Sequence, residues 1–263
     1  MVAPVECPLV LGGHTFIQQL GNEPKPTEDE QVRIVETCLN QGIRWFDTTY
    51  RPERVALGQA LSRLGRRNEA VILAWNFFTS FGDEDDVGAP DYYQPHHLDQ
   101  MLDELQTDHI DGLVVHQLDD PERNSRQEEL AQGWQRRGVI RWLGTWYPPV
   151  NPVETYGLNN PYSFMVRPYN VTTPEAAPAF SACKALGWQT LACSPFVRGW
   201  ELDKRLGRSN APDRAQLADR MLRYALFRPH VDRLIVAMRR EAWVVANIAS
   251  WRCGPLTEVE MIE

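Results

Sequence analysis

Eight short β-like runs recur along this chain with helix-like segments between them, and this alternation constrains the fold more than any other feature. The runs are residues 8–13, 43–47, 70–76, 111–116, 139–146, 162–170, 189–196 and 232–238. Their apolar, often β-branched character suits parallel strands covered on both faces. Helical stretches lie between them at 28–41, 95–107, 125–137, 173–186 and 215–227. Strand and helix alternating at this density over 263 residues predicts an α/β fold, a (β/α)8 TIM barrel forming a single domain over residues 1–263. A doubly wound sheet competes, but no G-x-G-x-x-G follows the first run and no Walker-type loop occurs.

Composition narrows the class of function. With 43% hydrophobic and 24% charged residues the chain can bury a large core. A net charge of −8 argues against a nucleic-acid backbone or an anionic membrane as the main partner. Apolar runs are too short for a membrane span, and the opening MVAPVECPLVLGG lacks the basic start and long apolar centre of a secretory signal. Cys7, Cys38, Cys183, Cys193 and Cys253 are odd in number and form no C-x-x-C pair, which fits a reducing cytoplasm without a structural zinc site.

The segment 42–61, GIRWFDTTYRPERVALGQAL, reads as one active-site unit. Ile43, Trp45 and Phe46 suit a buried strand, Asp47 sits where that strand emerges, Tyr50 follows, and Val55, Leu57, Ala60, Leu61 and Leu64 give the next helix its apolar face. In a barrel, functional groups come from the C-terminal ends of several strands. Those ends here carry His14, Asp47 with Tyr50, Asn76, His116, Thr145 with Trp146, Arg167 with Asn170, Cys193 with Ser194, and Arg239 with Arg240. Such a set is too polar for a core.

GIRWFDTT followed by Tyr50 and LGQAL, then IDGLVVHQLDD, GVIRWLGTW and SPFVRG, resembles in its order the aldo-keto reductase superfamily over nearly the whole chain. The resemblance implies a barrel that binds a nicotinamide dinucleotide without a Rossmann fold and reduces carbonyls through an Asp, Tyr, Lys and His tetrad. Asp47 matches the aspartate, His116 the histidine, and Tyr50 stands for the tyrosine after a shortened turn. Where the family ends its third strand in Ala-Thr-Lys this chain reads Ala74-Trp75-Asn76, so Asn76 takes the lysine's place without its charge. The resemblance further assigns cofactor binding to Thr145, Trp146, Asn170, Cys193, Ser194, Arg198, Arg239, Arg240 and Asn247. Two arginines at a helix start suit a phosphate and favour NADP over NAD.

The expected activity is NADPH-dependent reduction of an aldehyde or ketone, with a small-molecule carbonyl as partner. The alternatives are a dinucleotide-binding barrel without reductase activity and a repurposed lyase, isomerase or metal-assisted enzyme, the last with His14, Asp47 and His116 around a divalent ion. Trp75 and Trp146 are expected to wall the substrate pocket, the segment 82–91 to be a solvated connection, and His96 and His97 to lie on the surface.

Overall fold

Parallel strands covered on both faces bury successive positions, and the runs of this chain do so: every residue of Leu9–Leu11, Ile110–Val115 and Arg233–Val236 is buried, and all but Asp111 and Arg233 are uncharged. The computed structural model describes residues 6–18, 24–79, 88–146, 157, 159–207, 213–258 and 260. In chain order the strands are β1 (Leu9–Leu11), β2 (Trp45–Thr48), β3 (Val71–Trp75), β4 (Phe77–Thr79), β5 (Ala89–Pro90), β6 (Ile110–Val115), β7 (Ile140–Trp146), β8 (Tyr162–Pro168), β9 (Gln189–Cys193) and β10 (Arg233–Val236). All but β4 and β5 form one closed cylinder in the order β1, β2, β3, β6, β7, β8, β9, β10 and back to β1, every neighbouring pair parallel. The helices are α1 (Glu28–Asn40), α2 (Arg51–Leu64), α3 (Pro95–Leu105), α4 (Pro121–Arg136), α5 (Ala177–Ala185), α6 (Trp200–Leu206), α7 (Arg214–Leu226) and α8 (Glu241–Cys253). The (β/α)8 TIM barrel expected from the alternation is the observed fold.

Local chemistry sets the helix limits. Helix α4 begins at Pro121, earlier than its apolar pattern suggests, because Asp120 Oδ1 accepts from the amides of Glu122 at 2.9 Å and Arg123 at 3.1 Å. Helix α2 stops at Gly65, whose φ of 64° takes the left-handed region. Residues 89–90 depart from the expected solvated connection: they pair antiparallel with β4, Phe77 opposite Pro90 and Thr79 opposite Ala89, as a hairpin just past the end of β3. Residues 82–87 of that connection lie outside the described residues. His97 is also not a surface residue: it is buried, its ring stacks on Phe78 at 3.6 Å and its Nδ1 accepts from the Gln94 amide, whereas His96 is exposed as expected.

Strand alternation divides the core in two. Val10, Trp45, Leu73, Trp75, Val114, Phe164, Val166, Leu191 and Ile235 cluster inside the cylinder. Their neighbours Leu9, Leu11, Phe46, Ile72, Ala74, Leu113, Val115 and Met165 pack outward with helix residues such as Ile34, Leu57 and Met101. At the N-terminal end the lumen is plugged by a stack: Arg233 over Trp45 at 4.0 Å, Trp45 parallel to Trp142 at 5.7 Å, and Arg141 over Trp142 at 4.3 Å. Above it the Phe164 ring fills space that side chains at Gly112 and Gly144 would take, since a Cβ at Gly144 would fall on that ring. Among the described residues no helix is long and apolar enough to cross a membrane.

Replacing Gly144 by Ala is expected to destabilise the barrel by about 1–3 kcal/mol through overpacking, with a lower Tm in thermal denaturation. The double variant Gly144→Ala/Phe164→Leu should recover part of that loss, whereas simple additivity of the two effects would place the clash elsewhere.

Candidate active site

The parity of each strand decides which end residues face the mouth. On β2, Asp47 follows Trp45 on the inner side; on β3 the inner residue is Trp75, not Asn76; beyond β6, His116 continues the line of Val114; on β7 and β9 the inner residues are Trp146 and Cys193.

Asp47 is 5% exposed and accepts a hydrogen bond from the Trp75 indole Nε1 at 2.7 Å. Burial raises its carboxyl from 3.8 to about 7; the Trp75 bond opposes the rise, the Glu53 carboxylate adds to it, and His14 and the Gly13 amide oppose it. The acid's partner is therefore a neutral donor from position 75, one residue before the position aligned with the family's lysine.

Asn76 corrects the sequence-based expectation. Its side chain is fully buried on the outer side, where Nδ2 donates to the backbone oxygens of Asp91 at 2.8 Å and His116 at 3.0 Å, and Oδ1 accepts from the His116 amide at 3.0 Å. It fixes the backbone beneath His116 instead of facing Asp47. Thr145 likewise falls, by alternation with Gly144 and Trp146, on the outer side of β7, where it is fully buried.

The wall of the mouth is aromatic. Tyr50, the residue before α2, meets Phe77 edge-on at 5.3 Å, and Phe77 meets Trp75 at 6.4 Å and His116 at 5.9 Å. Trp146 completes the arc, 5.1 Å from Trp75 and 6.3 Å from His116. Burial lowers the basicity of His116, whose Nδ1 has no partner among the described residues, so the ring is neutral near pH 7. Phe77 belongs to β4 and joins the wall only because β3 continues into the hairpin.

Burial pushes the Cys193 thiol up to about 12, so it stays protonated, and the exposed Ser194 beside it adopts a φ of 58°. Asn170 ties two loops: Nδ2 donates to Ser194 O at 2.9 Å while Oδ1 accepts from the Thr172 amide and hydroxyl at 2.8 and 2.7 Å. Arg198 lies in a short 3-10 turn, its side chain outside the described residues. Arg239 donates to Ile17 O at 3.3 Å from Nη2. Arg240 caps α8 with no side-chain cap bond and lies 5.6 Å over Trp243, on the same helical face as the half-buried Asn247.

Glu53 was not a sequence candidate. It is fully buried, and its Oε2 accepts from the amides of Thr49 at 2.6 Å and Tyr50 at 3.2 Å while Oε1 lies 3.2 Å from His14 Nδ1. The Tyr50-x-x-Glu53 spacing, a glutamate at the third helical position, was the available signal. Among the described residues no group of three His, Cys, Asp and Glu side chains could hold a metal ion. His14, Asp47 and His116 form no ligand set; the first two pair with Glu53 and Trp75.

The model of the Aldo/keto reductase family matches residues 8–221. "Uncharacterized oxidoreductase YrpG" of Bacillus subtilis (strain 168) is 27% identical over 256 residues, covering 84% of this chain and 76% of that protein. In three dimensions the holo form of aldo-keto reductase AKR11C1 from Bacillus halodurans superposes with a TM-score of 0.76 at 21% identity, over 96% of this chain and 89% of that one. The barrel, its strand-end residues and the match along most of its length agree: this chain belongs to the aldo/keto reductase family of oxidoreductases.

Proposed function

We propose that this protein reduces the carbonyl of an aldehyde or ketone to an alcohol at the expense of NADPH, with the reaction seated at the rim formed by Asp47, Tyr50 and His116. The observation that carries this reading is the convergence of those three residues, from β2, the start of α2 and the end of β6, around one aromatic wall. When bound, NADPH supplies the hydride. The residues present fit such a dinucleotide: Arg239 and Arg240 stand at the start of α8, whose first turn has no side-chain cap, and this is a setting for phosphate. The family resemblance assigns Ser194 and Asn247 to the same dinucleotide.

Each residue has a distinct chemical part. Tyr50 presents a phenol that donates a proton to the carbonyl oxygen as negative charge builds there. His116, neutral through burial, can donate one N–H to the same oxygen and stabilise that charge. Trp75, Phe77 and Trp146 exclude water and offer apolar faces to the substrate's body. Since Trp75 brings Asp47 an N–H and no positive charge, nothing at position 75 or 76 favours a phenolate. Reduction, which needs the protonated phenol, is favoured over alcohol oxidation, which needs it ionised.

NADPH binding followed by fluorescence, with consumption assayed on a panel of aldehydes and ketones, tests the reading. Tyr50→Phe is expected to lower kcat/KM by about a hundredfold or more while leaving NADPH affinity within about twofold. Replacing both Arg239 and Arg240 by Ala should weaken NADPH by about tenfold or more and NADH far less, since only the former carries the extra phosphate. Cofactor binding without turnover on any carbonyl would favour the non-catalytic dinucleotide binder instead.

The raised Asp47 carboxyl also fixes a dependence of stability on pH. The folded protein holds a proton that the unfolded chain has released, so stability falls as pH climbs from about 4 to about 7, where the folded group itself ionises. Above that range the burden is on the order of 4 kcal/mol for this buried group. Asp47→Asn removes it, and its Tm relative to wild type should rise between about pH 4 and pH 8. A Tm difference independent of pH would show that Asp47 is not perturbed.

A further inference from the structure

The reduction uses Tyr50 as donor but leaves His14 and Glu53 without a task. Glu53 is a carboxylate with no exposure, held by two backbone amides through one oxygen and directed at His14 Nδ1 by the other, at 3.2 Å. Among the described residues Oε1 accepts no hydrogen bond, and its approach to Nδ1 is a charge contact. Space for the carboxylate exists only because residue 13 is glycine, since a Cβ there would fall on it. On its other side His14 faces Tyr50, ring centroids 5.6 Å apart and planes inclined at 48°. The histidine side chain is 32% exposed, so it can exchange protons with solvent where the buried glutamate cannot.

We propose that His14, oriented by Glu53, is a proton relay that resupplies Tyr50 after each reduction; this rests on the reductase reading above. As the carbonyl carbon receives the hydride, its oxygen takes the phenolic proton, leaving alcohol and a Tyr50 phenolate. The phenolate takes the proton of His14 Nε2, directly or through one water. The imidazole becomes neutral and stays beside the carboxylate, its Nδ1 3.2 Å from Glu53 Oε1. Solvent then reprotonates Nε2, and the cycle consumes one hydride and one proton per carbonyl. Glu53 is a positioning residue acting through His14. The titratable groups that face the relay are Glu53 on α2, Tyr50 before it, and Asp47 on β2, whose carboxyl responds to both His14 and Glu53.

The relay has the location that the missing cation left open. It puts a protonatable group beside the phenol from the β1 side, whereas the β3 side offers only the indole of Trp75 and the outward-facing Asn76.

Two measurements on the full chain decide it. Without cofactor, the His14 imidazole is titrated by NMR in wild type and in Glu53→Gln, which keeps the shape of the buried side chain. The midpoint is expected to fall by about one pH unit when the carboxylate is removed. With NADPH and a reducible carbonyl, His14→Asn, a change at a partly exposed residue, should lower kcat about tenfold with KM within about twofold and move the alkaline limb of the rate profile between about pH 6 and 9. An unchanged His14 midpoint in a folded Glu53→Gln protein overturns the pairing. An active wild type matched by His14→Asn at every pH overturns the relay alone. A wild type that consumes no NADPH with any carbonyl removes the reductase reading, and the relay with it.

Discussion

Closure of the cylinder depends on β1, a strand of three residues bonded to β10 on one side and β2 on the other. So short a strand has few hydrogen bonds to hold it, and it is secured by complete burial of Leu9, Val10 and Leu11 between lumen and helices. Helical crossovers make all strands of the cylinder run in one direction, so their C-terminal ends meet on one rim. The seam continues past β1: the Gly12 amide donates to Val236 O at 2.9 Å, and the next glycine lets α2 approach until Glu53 meets His14. Barrel closure and the assembly of the rim therefore rest on the same few residues.

Two carboxylates, Asp47 and Glu53, lie buried near each other at that rim, and the structure treats them differently. Glu53 receives two backbone amides and an imidazole contact. Asp47 receives the Trp75 indole N–H and the Gly13 amide but remains largely desolvated, which is why its carboxyl is raised to about 7. A lysine facing Asp47 would hold it ionised; an indole compensates only part of the desolvation. In exchange the mouth gains an aromatic surface, with Trp75 packed edge-on against Trp146 and Phe77. The absence of a cation beside Asp47 and the presence of an aromatic wall have one cause, that the inner residue at the end of β3 is Trp75 and not residue 76.

Most of the fold was legible in the sequence, because period-two and period-3.6 apolar patterns survive in any environment that buries one face. Each of the eight runs proved to be a barrel strand, and the helix-like stretches became α1, α3, α4, α5 and α7. The hairpin of β4 and β5 escaped because Phe77–Thr79 and Ala89–Pro90 are too short to show a period. The position of His97 escaped for a related reason: a helix start with Pro95 says where the helix begins, not that the ring will stack on Phe78.

At the site the division is sharper. Residue type and order alone pointed to Asp47, Tyr50 and His116, since an acid and an imidazole at strand ends, with a phenol after the second strand, mark a barrel mouth whatever the packing. Which neighbour serves Asp47 was decided by tertiary structure. Adjacent residues of a strand face opposite sides, so a one-residue ambiguity at 75 and 76 separates a group in the lumen from one locked behind it. The pairing of His14 with Glu53 joins β1's exit to α2 across 39 residues of sequence, the distance from 14 to 53. Linear order carries no trace of that approach; only the closed barrel, with glycine at the crossing point, brings the two side chains together.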